Sequence, residues 1–76
     1  MNDKRRAILR AAIKELKSAA ATTERAINAE EDCLENISEN FSCGERYEKM
    51  ENAVDLLTEA SESIDTAIDK IIEAIT

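Results

Sequence analysis

The sequence predicts an all-α fold: an antiparallel two-helix hairpin, coiled-coil-like, with an alanine-rich interface. Three observations predict it. Apolar residues recur at alternating spacings of three and four along most of the chain, which places them on one stripe of a helix. Proline is absent and Phe41 and Tyr47 are the only aromatics, so little in the composition favours strands. A single short break, holding the one glycine, divides the pattern near its middle. With 76 residues the chain has room for one domain, 1–76.

The first helix is expected over about 3–39, with Asn2 or Asp3 as its N-cap. Its seam reads Leu9, Ile13, Leu16, Ala20, Thr23, Ile27, Glu30, Leu34, Ile37 and Phe41. A line of small residues at heptad spacing runs beside it: Ala12, Ala19, Ala26 and Cys33. The break follows at residues 39–44. Asn40 tolerates the left-handed backbone that ends helices, and Ser42 with Glu45 matches a capping box that starts one.

The second helix is expected over about 43–75. Its seam reads Tyr47, Met50, Val54, Leu57, Ser61, Ile64, Ile68, Ile71 and Ile75. Ala53, Ala60, Ala67 and Ala74 repeat every seven residues beside it. So short a connection makes the helices antiparallel neighbours, each about 50 Å long at ~1.5 Å per residue.

A fold-back centred on Ser42 pairs residues whose numbers sum to 84. Leu16 then faces Ile68, and Ile27 faces Leu57. Thr23 faces Ser61, so both seam hydroxyls share one layer, where they can bond each other. The small-residue lines also meet, Ala12 with Ala74, Ala19 with Ala67, Ala26 with Ala60 and Cys33 with Ala53. Small side chains allow close approach of the axes. Lys17 faces Asp65 on the opposite edge, a suitable ion pair, while Glu31 faces Glu51. The hairpin thus has a charged edge and a smooth one.

Two helices bury one stripe each, which barely offsets the ordering cost of a short chain. Ile8 and Leu56 flank the smooth edge and Ile72 the charged one, all off the seams. Assembly into a four-helix bundle or larger homo-oligomer would cover them. The surface expected to self-associate comprises Ile8, Ala12, Ala19, Ala26, Ala53, Leu56, Ala60 and Ala67.

The formal charge is −7, unevenly placed. Residues 1–17 carry six basic and two acidic side chains, and residues 18–76 four and fifteen, so the first segment is +4 and the rest −11. Duplex nucleic acid is a poor partner for such a surface, whereas a basic protein surface is a suitable one. No apolar run approaches the ~20 residues of a membrane span, and no signal peptide is visible, so a cytoplasmic location is expected.

Catalysis has little support. Histidine is absent, no glycine-rich phosphate loop is present, and the carboxylates occupy mostly solvated helix positions. Glu30 is the exception, a polar residue on the seam that specifies register or reaches outward. Cys33 takes an alanine-equivalent position and reads as a small buried residue. Cys43 lies in the turn, and a bridge between the two would distort the first helix. Two thiols without histidine are too few for a structural zinc site, and no metal or cofactor is expected.

Arg6, Arg10, Lys14 and Lys17 lie three or four apart on one flank. Like charges at that spacing repel, and cations at a helix N-terminus oppose its dipole. Asp65, Asp69 and Glu73 of the second helix offer one compensation. The other is an anionic ligand such as a nucleotide, held by Arg6 and Arg10. At the turn, Phe41, Arg46 and Tyr47 are residue types that dominate binding hot spots, although Phe41 and Tyr47 also belong to the seams.

Asn36-Ile37-Ser38-Glu39-Asn40-Phe41 is similar to the Asn-Leu/Met-Pro-Glu turn of small uncharacterised acidic helical-hairpin proteins of phages and prophages. Gly44-Glu45-Arg46-Tyr47-Glu48-Lys49-Met50-Glu51 and Ala53-Val54-Asp55, followed by alanine-containing heptads, extend the resemblance over roughly residues 24–76. The chain departs from that group in lacking the turn proline and in its more basic first helix. The resemblance implies a phage accessory context, in which small acidic proteins bind and disable host factors, defence proteins among them. The expectation is therefore a non-enzymatic binding protein whose acidic helix faces inhibit a host protein. An oligomeric sponge for an anionic nucleotide signal and a structural self-assembly element are the alternatives.

Overall fold

The computed structural model describes residues 1–36 and 44–76. It contains two helices, α1 (Asp3–Glu35) and α2 (Glu45–Ile75), packed against each other as an all-α helical hairpin. Helices of 33 and 31 residues span about 50 and 46 Å at ~1.5 Å per residue. End to end they would approach 100 Å. The Cα trace extends only 59 × 14 × 13 Å, the dimensions of two helices side by side.

α1 starts where its first residues direct it to start. Asn2 has extended backbone, and its Oδ1 accepts a 2.9 Å hydrogen bond from the Arg5 amide. That bond satisfies one of the amides that every helix start leaves free, an effect of about 1 kcal/mol. Asp3 supplies negative charge to the first turn and pairs with Arg6, Oδ1 to Nη1, at 3.3 Å.

The end of α1 comes earlier than residue 39. Its C-cap is Asn36, whose backbone amide and side-chain Nδ2 both donate to the Asp32 carbonyl. A short amide side chain that bonds local backbone competes with continuation of the helix. α2 begins at Glu45 rather than 43. Gly44 is its N-cap, in extended conformation and without a side-chain cap bond. Ile37, Asn40, Phe41, Ser42 and Cys43, and with them the proposed helix stop and capping box, lie outside the described residues.

The seams are where the heptads put them. Ile13 and Ile27 of α1 and Ile68 of α2 are buried, at 8%, 5% and 8% exposure. Every other described seam residue, from Leu9 to Leu34 and from Tyr47 to Ile75, is half-buried. Lys17 and Ala20 line one open depression with Asp65, Ile68 and Asp69. A fold-back about residue 42 brings those neighbours together.

Two expectations fail inside this frame. Cys33, expected to be a small buried residue, is exposed, as are Ala19, Ala26, Ala60 and Ala74 along the same edge, while Ala12, Ala53 and Ala67 are half-buried. A two-helix hairpin has no third element to cover residues flanking its seam, so Cys33 is an exposed thiol instead of a buried one. Nor do Thr23 and Ser61 bond each other among the described residues. Thr23 Oγ1 donates instead to the Ala19 carbonyl of its own helix at 2.8 Å. That acceptor is one turn away and needs no partner helix.

Candidate functional site

The surface carries four candidate regions, each positioned by the hairpin. At the open end, the basic flank of α1 is only partly neutralised. Arg6 is half-buried and held by Asp3. Arg10, Lys14 and Lys17 are exposed, and among the described residues no carboxylate lies within ion-pair distance of any of them. Lys17 shares its depression with Asp65 and Asp69, as the register requires, but the ion pair with Asp65 is not closed. The first compensating charge for Arg6 is thus on its own helix, three residues back. The Asp3-x-x-Arg6 spacing carries that signal in the sequence.

At the turn end, Arg46 is exposed and Tyr47 half-buried. Tyr47 therefore takes its seam position while keeping an accessible edge. Phe41, the third member of this group, lies outside the described residues.

The acidic flank is the most extensive feature. Glu48, Glu51, Asp55, Glu62, Asp69 and Glu73 are spaced by three, four or seven residues, so α2 presents them on one side. All six are exposed and, among the described residues, none has a cation within ion-pair distance. Among the described residues the only ion pair of α2 is Lys49 Nζ with Glu45 Oε1 at 3.7 Å, two exposed groups one turn apart. Such a pair contributes little to stability. Glu30, on the α1 seam, is half-buried.

The smooth edge holds Ala19, Ala26, Ala60 and Ala74, all exposed, with Ile8 and Leu56, which are 60% and 57% exposed. Ile72, at 42%, is alone on the other edge. No described helix is long and apolar enough to cross a membrane, and no described group of acidic or thiol side chains could hold a metal ion. No family model, curated protein or solved structure matches the chain.

Proposed function

We propose that this protein acts by binding, not by catalysis, and that its partner is a protein with a basic surface. The observation that carries the reading is the acidic flank of α2, a row of exposed carboxylates with no cation beside them. Unpaired like charges along ~40 Å of helix repel one another, and a basic partner relieves that repulsion while gaining electrostatic steering. The resemblance to small phage and prophage proteins supplies the class of partner: a host protein, such as a defence component, whose basic working surface the hairpin occupies and so inhibits.

The test is affinity capture from host extract by the immobilised chain, beside a variant carrying Glu51→Gln, Asp55→Asn, Glu62→Gln and Asp69→Asn. A protein retained by the native chain at low salt, and lost both at high salt and on the variant, is the expected result. A partner that survives high salt and binds the variant equally well removes the electrostatic reading.

One observation favours a second reading. Arg10, Lys14 and Lys17 are exposed cations without carboxylate partners among the described residues, and they could hold an anion such as a nucleotide. Arg6 weakens that reading, because Asp3 already occupies it. Nucleotide released on heat denaturation of the purified protein would favour the sponge over the protein-binding hairpin.

A further inference from the structure

The smooth edge is out of keeping with the rest of the surface. In a chain with 17 acidic side chains, this edge presents Ala12, Ala19 and Ala26 from α1 and Ala53, Ala60 and Ala67 from α2. Ile8 and Leu56, two of the most exposed large apolar side chains, border the same edge. From Ile8 to the level of Ala53 the face runs about 35 Å at ~1.5 Å per residue, and it is two helices wide.

Charge decides which way a second copy would lie on it. Residues 21–63, the half nearest the turn, hold three basic and twelve acidic side chains, a net −9. The other half holds seven basic and five acidic ones, a net +2. Two copies with their turns at the same end would set −9 against −9. Two copies with turns at opposite ends set −9 against +2 twice, and like-charge apposition is avoided. The steric pattern fits that choice. Ala19 is the midpoint of α1, and a two-fold axis there lays α1 antiparallel on its copy. Ala12 of each copy then faces Ala26 of the other. On α2, the same axis brings Leu56 level with Ala74 of the other copy, a large side chain against a small one.

We infer that the protein is a symmetric antiparallel dimer, a four-helix bundle closed through the smooth edge about Ala19, with the turns at opposite ends and the acidic flanks outward. This goes beyond the reading above, which involves a different protein, and leaves the acidic flanks free for that partner.

Disulfide mapping tests it, using Ala19→Cys in a Cys33→Ala/Cys43→Ala background. Under mild oxidation the variant is expected to form a covalent dimer of twice the 8.4 kDa chain mass. Adding Leu56→Asp should abolish the cross-link, and adding Ile72→Asp on the charged edge should leave it intact. If Ala19→Cys cross-links only when mixed with an Ala67→Cys variant, the turns lie at the same end and the proposal is overturned. Absence of any cross-link, or equal loss with both aspartates, overturns it as well. Each result is independent of salt-sensitive capture by the acidic flank, so the two readings fail separately.

Discussion

Glu30 shows most directly what a single residue contributes. It stands on an apolar seam, half-buried, and its carboxylate has no ion pair among the described residues. Its partial exposure limits the desolvation cost, but an apolar side chain there would add contact without that cost. Glu30→Leu is therefore expected to raise stability by about 1 kcal/mol, on the scale of one partly buried aliphatic side chain. Urea unfolding followed by circular dichroism reads the change. A loss of stability would mean that the carboxylate has an attractive partner in the folded protein. Thr23 makes the complementary point. Its hydroxyl is satisfied within α1, so the polar layer it was expected to share with Ser61 is not needed to keep it folded.

Within an element, burial separates residues of the same type. Ile68 and Ile72 belong to one helix, four residues apart, yet they are 8% and 42% exposed. Ile68→Ala removes contacts and leaves a gap that two helices can close only in part, at a cost of about 2–3 kcal/mol. Ile72→Ala removes surface already in water and should cost under about 0.5 kcal/mol. Thermal melts of the two variants side by side measure this difference, and equal losses would place Ile72 in an interface on the charged edge. The helix ends were less legible than the seams. Asn2 is readable as a cap because its residue type and position suffice. The end of α1 is not, because Asn36 and Asn40 are both eligible and the periodic pattern continues past each.

For the whole molecule, the buried core is thin: Ile13, Ile27 and Ile68 among the described residues. The remaining described seam is half-buried, which leaves surface that the proposed second copy would help to cover. If pairing supplies part of the stability, the melting temperature must rise with protein concentration, because mass action favours the assembled state. A hundredfold increase in concentration is expected to raise it by several degrees. A melting temperature constant over that range would describe a hairpin stable by itself and remove the dimer from the account. The candidate surfaces were legible to different degrees for the same reason. Charge spacing alone put the basic flank and the acidic row on their faces, whereas the exposure of the smooth edge depended on what else the fold placed over it.

The sequence by itself determined the helix count, the fold-back and the identity of the seam, since a period of three and four residues dictates the direction in which each side chain points. Direction is not burial. Only the tertiary structure decided that Ala19, Ala26, Cys33 and Ala60 stay in solvent, that Arg6 turns to Asp3, and that Lys17 stops short of Asp65. Those outcomes depend on how many neighbours surround a position, and a hairpin surrounds its seam from one side alone.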